Sequence, residues 1–270
     1  MSATRPAAVA GAFYPADPAM LAIEVQGYLH EAGGPVAGES PPKAIIAPHA
    51  GYVYSGPVAA NAYRRVAALR GTISRVVLAG PAHRIPVRGA AVPRAGAFAT
   101  PLGNVTLDEE AVERLRRLPF VETSDRAHAL EHSLEVHLPF LQAVLGDFRL
   151  VPIVVGGASP DEVAALLEEV WGGDETLIVV SSDLSHFLPY AAACRRDRAT
   201  AEEILRLDAR IEAEEACGAA PVNGLLEIAR RRHLVPELVD LRNSGDTAGG
   251  RDRVVGYASF VFREPEGGHD

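Results

Sequence analysis

The chain predicts an α/β fold: a mixed, largely parallel sheet flanked by helices. Three observations carry that expectation. Short apolar, β-branched runs, among them Ala44-Ile45-Ile46, Val76-Val77-Leu78 and Leu177-Ile178-Val179-Val180, alternate with segments of helical spacing. The links between them are short, as in strand–helix–strand units. The apolar fraction, 48% of 270 residues, is enough for one sizeable core.

Taken in order, Lys43–Ile46 and Val76–Leu78 read as strands, separated by a helix from Gly56 to Arg70 that Gly71 caps. Gly89–Phe98 alternates but contains Pro93 and Gly96, which predicts a hairpin or edge element. Leu107–Leu118 and Glu131–Leu145 read as helices and Phe148–Val155 as a buried strand, with Gly156-Gly157 turning out of it. Ser159-Pro160-Asp161-Glu162 supplies an N-cap, a proline at the first helical position and the glutamate of a capping box, for a helix running to about Val170. After Leu177–Val180 come helices over Tyr190–Glu215 and Asn223–His233, then closing strands at Val235–Leu241 and Val254–Phe262. One domain is expected over residues 1–263, with a flexible tail at 264–270.

Composition narrows the function. A net charge of −9, from 26 basic and 35 acidic residues, argues against a nucleic-acid surface. Met1–Pro15 lacks a signal-peptide pattern, and no apolar run approaches the roughly 20 residues of a membrane helix. Two cysteines, Cys194 and Cys217, do not make a disulfide scaffold. A soluble, cytoplasmic protein is expected, with no nucleic-acid or membrane partner.

Three histidines each follow one of the apolar runs: His49, His83 and His186. Parallel strands would bring all three to one sheet edge, where open α/β sheets hold ligands. His49 and His83 then read as two imidazole ligands of one metal ion. Asp183 precedes His186 by three residues, the relation of a carboxylate that orients an imidazole or caps the next helix. His132 and His137 stand five apart, about 140° around a regular helix, so they are not the paired histidines of an HExxH helix. Glu131, His132 and Glu135 are expected to line the site from one helical face. Cys217 closes a stretch expected as acidic helix, where a thiol pKa rises. It is either an inert core residue or a third ligand.

Together these residues resemble the Memo family, whose bacterial and archaeal members are also labelled AmmeMemoRadiSam system protein B and whose human member is linked to cell motility. The resemblance spans nearly the whole chain: Arg5-Pro6 and Ala10-Gly11-Ala12-Phe13-Tyr14-Pro15, Ala47-Pro48-His49-Ala50-Gly51-Tyr52, Gly80-Pro81-Ala82-His83, and Glu131-His132-Ser133-Leu134-Glu135 with His137-Leu138-Pro139-Phe140. It continues through Ser182-Asp183-Leu184-Ser185-His186, Ser244-Gly245-Asp246 and Val255-Gly256-Tyr257-Ala258. It implies a fold similar to class III extradiol dioxygenases, which open catechol rings with non-haem iron(II). By that resemblance His49 and His83 are metal ligands, and Cys217 stands where the dioxygenases use a carboxylate. His186 falls at their catalytic base, beside Asp183. Tyr52, Tyr54, Glu131, His132, Glu135, Ser244 and Asp246 line or support the pocket.

A thiolate shifts metal preference toward copper, so iron(II) or copper is the implied cofactor. The leading expectation is a redox-related metal-binding protein. The alternatives are an extradiol-type dioxygenase acting on an aromatic, and a module that binds a small molecule or peptide partner in the same pocket. Family company implies radical-SAM and AMMECR-type proteins as partners.

Overall fold

The computed structural model describes residues 3–33 and 40–265. The strands in chain order are β1 (Thr4–Arg5), β2 (Ala44–Ala47), β3 (Arg75–Pro81), β4 (Ala90–Val92), β5 (Ala97–Thr100) and β6 (Gly103–Thr106). They continue as β7 (Val121–Thr123), β8 (Arg149–Val155), β9 (Thr176–Ser181), β10 (His186–Leu188), β11 (Val235–Asn243) and β12 (Val254–Arg263). The helices are α1 (Pro18–Glu31), α2 (Tyr52–Val66), α3 (Glu109–Leu115), α4 (Asp125–Ala129) and α5 (His132–Glu135). After them come α6 (Leu138–Leu145), α7 (Pro160–Glu169), α8 (Tyr190–Leu205) and α9 (Ala219–Arg231). Of the tail at 264–270, residues 266–270 lie outside the described residues.

Nine strands form one sheet in the order β10-β12-β2-β9-β3-β8-β4-β7, with β11 paired to β12. The centre, β2-β9-β3-β8, is parallel throughout. Antiparallel pairings flank it, β12 on β2 at one side and β4 on β8 at the other. The mixed sheet of the expected fold class is therefore parallel where it is deepest. Central strands read as unbroken apolar runs because both faces are covered. Leu78 and Val179 face a core with α1, α2 and α6, while Val77 and Val180 face one with α7 and α9. A second, three-stranded sheet, β1-β5-β6, closes one end. No helix among the described residues is long and apolar enough to cross a membrane.

The capping box at Ser159 and Glu162 forms as its spacing predicts. Several element boundaries differ from expectation, among them the Asn223–His233 helix, which forms over Ala219–Arg231. The Gly56–Arg70 helix starts a turn earlier, at Tyr52, with Gly51 as its cap and Pro57 inside it. The Glu131–Leu145 helix is two, α5 and α6, with His137 capping the second and Pro139 in its first turn. Pro139 donates no hydrogen bond and its ring crowds the carbonyl four residues back, which breaks the helix. The Tyr190–Glu215 helix stops at Leu205, and Leu207 turns left-handed with φ +54°. Gly89–Phe98 is no hairpin: its halves, in β4 and β5, belong to different sheets.

Arg5 of β1 ties the N-terminal segment to the chain around α5. It pairs with Glu135 and donates to the carbonyls of His128 (2.9 Å) and Glu131 (2.7 Å). Glu135, fully buried, also accepts the backbone N–H of Ala8 and Val9 and the Tyr14 hydroxyl. Removing one partner strands a buried charge. Arg5→Ala is expected to cost about 3–5 kcal/mol, measured as a lower urea midpoint.

His128 is buried, its Nε2 bonded to Ala91 O at 3.0 Å. Burial, against that bond and with help from Arg5, lowers its pKa from 6.5 to about 4. Unfolding restores the higher value, so protons favour the unfolded chain as pH falls from 6.5 towards 4. Above 6.5 the group has no effect. His128→Gln, which keeps an Nε2 donor, is expected to remove about 3 kcal/mol of acid destabilisation, at roughly 1.4 kcal/mol per pH unit. Urea unfolding at pH 7 and pH 4 checks this.

Candidate metal centre

Strands β2, β9 and β3 lie side by side and parallel, so their carboxyl ends share one edge. The chain leaves β2 into His49, β3 into His83 and β9 into Asp183. Two glycines let other elements reach that edge. A Cβ on Gly80 would lie 2.9 Å from Leu134 Cδ2 and 3.0 Å from Ser133 Oγ; Ser133 Oγ instead donates to Pro81 O at 2.9 Å, seating α5 beside His83. A Cβ on Gly218 would lie 2.5 Å from Ser181 O. Its bare N–H donates to Ser182 Oγ at 2.9 Å, which brings the start of α9 and Cys217 to the exit of β9.

The rings of His49, His83 and His132 form a triangle with centroids 5.1, 5.5 and 4.7 Å apart. One ligand atom from each lies within 4.8 Å of the others. Metal–nitrogen bonds of about 2.1 Å require only a modest closure of that set. Cys217 Sγ is 3.3 Å from His49 Nε2.

Each strand-end histidine is gripped from behind. Glu131 accepts the His83 backbone N–H at 2.6 Å and faces His83 Nδ1 at 3.0 Å. A carboxylate only accepts, so Nδ1 carries a proton and Nε2 is the nitrogen left to meet an ion. Asp183 accepts the His49 N–H at 2.7 Å, and His49 Nδ1 lies 2.6 Å from Ser181 Oγ, leaving Nε2 turned to Cys217. His132 Nδ1 is buried without a hydrogen bond, though 3.4 Å from Glu131 Oε1. One nitrogen from each of the three rings within reach of a common point fits a cation.

The electrostatics agree. Burial, with the neighbouring His83 and His132, pushes the His49 pKa well below 6.5. Burial also lowers His132 to about 4. Burial opposes ionisation of Glu131, but hydrogen bonds from His83 and Ser133 outweigh it and hold the carboxyl at about 2. Burial raises Asp183 to about 6 against the His49 hydrogen bond and the nearby His186 and His83. Burial and the Asp183 charge push the Cys217 thiol up. At neutral pH the site therefore holds neutral His49 and His132, a protonated Cys217 and an ionised Glu131.

Residues 5–261 match the Memo family, described as Memo-like protein. The chain belongs to the Memo-like family. MEMO1 family proteins of three archaea are similar nearly end to end. That of Sulfolobus acidocaldarius is 35% identical over 94% of this chain and 98% of its own. Those of Methanopyrus kandleri and Ignicoccus hospitalis are 37% and 38% identical over 96% and 97% of this chain and 99% of theirs. An uncharacterized Escherichia coli K12 protein of solved structure is similar over 80% of this chain and 98% of its own, with a TM-score of 0.48 and 14% identity.

In this Memo-like protein several residues stand apart from where the sequence alone put them. His132 joins His49 and His83 instead of lying behind them, because the break before α6 frees it from the geometry of one regular helix. Cys217 is not at the end of an acidic helix; it stands just before Gly218, the cap of α9. Glu135 does not line the site but neutralises Arg5. Tyr52 is core: packed on Tyr14 and Phe140, it donates to Val136 O at 2.6 Å. Tyr54 is exposed.

The helix after Asp183, α8, begins only beyond β10 and is capped by Pro189, so Asp183 bonds to His49 instead of capping. His186 is exposed on β10, paired to Val255 of β12. Ser244 Oγ accepts the Val255 N–H at 3.1 Å, and Asp246 accepts from Tyr190 and Asn243; both brace the strands behind His186.

Sequence reasoning missed Ser181, Ser133 and Tyr63. Only Ser181 carried a signal, as a hydroxyl at a strand end two residues before Asp183. Glu131→Ala leaves two His83 N–H groups and the Ser133 N–H without their acceptor. A loss of about 1–3 kcal/mol and a mobile His83 ring are expected, read by chemical denaturation and by imidazole NMR line shapes.

Proposed function

We propose that this chain binds one redox-active metal ion, iron or copper, through His49, His83 and Cys217. One observation carries the proposal: two imidazoles at neighbouring strand ends have Nδ1 engaged by Ser181 and Glu131, and Cys217 Sγ lies 3.3 Å from the bare Nε2 of His49. Two donors compete for the third place, His132 and Cys217. The thiol is preferred because it already contacts His49 Nε2, and a divalent ion takes the place of its proton. His132 then closes the pocket wall or adds a fourth nitrogen.

When bound, iron or copper supplies one-electron chemistry and open positions for a small ligand. Asp183, a buried carboxyl raised to about 6, and the exposed His186 would be the groups that take and return protons beside it. The spacing of those two in the sequence, three residues apart after β9, supports a second reading, an extradiol-type oxygenase acting on an aromatic diol. Oxygen uptake across a catechol panel with iron(II) tests that reading, and silence across the panel removes it.

Protein purified without oxygen should carry about one iron or copper per chain by elemental analysis. His49→Ala and Cys217→Ser should weaken binding by more than the roughly 10–100-fold typical of losing a supporting residue. Unchanged metal content in both variants refutes the proposal. Loss in His132→Ala but not in Cys217→Ser makes the third ligand an imidazole.

A further inference from the structure

Behind His49 runs a line of buried polar side chains that metal binding by itself does not require. The Tyr63 hydroxyl, on α2, lies 2.6 Å from His137 Nδ1. His137 Nε2 lies 2.8 Å from Ser181 Oγ. That oxygen is 2.6 Å from His49 Nδ1 and donates to the Ser133 carbonyl, also at 2.6 Å. Tyr63, His137, Ser181 and His49 are each at most 2% exposed, so water does not correct a mismatched link.

Counting protons leaves one arrangement. A carbonyl only accepts, which commits the Ser181 hydrogen to Ser133. The Ser181 oxygen then accepts from both imidazoles, so His137 presents Nε2–H and His49 presents Nδ1–H. His137 Nδ1 is consequently bare and accepts from Tyr63. Burial keeps the Tyr63 phenol protonated and His137 neutral, its pKa lowered to about 3. Reversing any link sets two hydrogens or two lone pairs against each other, a buried mismatch that costs about 1–3 kcal/mol.

We infer that Tyr63, His137 and Ser181 are positioning residues that set the tautomer of His49, holding its proton on Nδ1 and its Nε2 bare towards the ion. The assignment of a use to that bare nitrogen rests on the proposed metal centre; the tautomer itself does not. The two ligands are thereby tuned differently. His83 leans on a carboxylate, which makes its imidazole the more basic donor, whereas His49 leans on a neutral hydroxyl shared with a second imidazole. Tyr63 carries this control into α2, the helix that follows His49.

The experiment uses metal-free, ¹⁵N-labelled protein and long-range ¹H–¹⁵N correlation spectra of the imidazoles. The expected result is the Nδ1–H form for His49 and the Nε2–H form for His137; the opposite tautomer at either residue overturns the inference. Ser181→Ala should give His49 a mixture of tautomers and weaken iron(II) binding, titrated without oxygen, by roughly 10–100-fold. His137→Leu should act in the same direction. His137→Gln, whose amide can donate to Ser181 and accept from Tyr63, should recover affinity to within a few-fold. A His49 tautomer and an iron(II) affinity unchanged in Ser181→Ala overturn the inference.

Should those variants fail to fold, Tyr63→Phe removes one oxygen and keeps the stacked ring. It should move the His137 Nδ1 resonance downfield, as a bare nitrogen that loses its donor, while Ser181 keeps the proton on Nε2; a His137 Nδ1 resonance that stays in place overturns the inference. Wild-type protein with the expected tautomers but no affinity for iron or copper refutes the metal centre and leaves the hydrogen-bond chain standing. Metal-binding protein whose His49 is Nε2–H when metal-free refutes the chain alone.

Discussion

The parallel alignment of β2, β9 and β3 is the constraint on which the site depends. Ala47 is level with Ser181 across the β2–β9 pair, so His49 leaves its strand beside the residue that holds its ring. A shift of one residue would turn every side chain of a strand to the other face. With both faces of the centre buried, such a shift is excluded by the packing on either side. The same edge then accepts two visitors, α5 over Gly80 and the start of α9 over Gly218, because neither glycine has a Cβ to obstruct them.

The stretch from Glu131 to His137 is the hub of the molecule. Glu131 holds His83, His132 faces the metal pocket, Ser133 accepts from Ser181, Glu135 neutralises Arg5 and His137 reaches Ser181. One regular helix would point these side chains in directions that do not reach all five destinations. The break before Pro139 redistributes them, and Tyr52 secures it by donating to Val136 O. The core tyrosines of α2 thus support the site from the apolar side, while Glu131 and Asp183 support it from the polar side.

Much of this was legible beforehand. The apolar runs marked the strands, and the histidines after them marked the sheet edge. Ser159, Pro160 and Glu162 marked a helix start that forms as expected. Helix ends were less legible. No glycine announces the stop at Leu205, since Leu207 itself adopts the left-handed conformation. Cys217 consequently looked like the end of a helix when it stands at the start of another. Glu135 looked like a pocket residue because its helical face was known but its partner, Arg5, lies 130 residues away.

By itself the sequence determined where strands run, which donor types stand at their ends and which family the pattern resembles. These are properties of residues and their near neighbours. Only the tertiary structure decided which donors meet. The links that orient His83 and His49 span 48 residues to Glu131, 132 to Ser181 and 168 to Cys217. Over such separations a residue's partner is chosen by how sheet and helices pack. The tautomer of an imidazole follows from that partner.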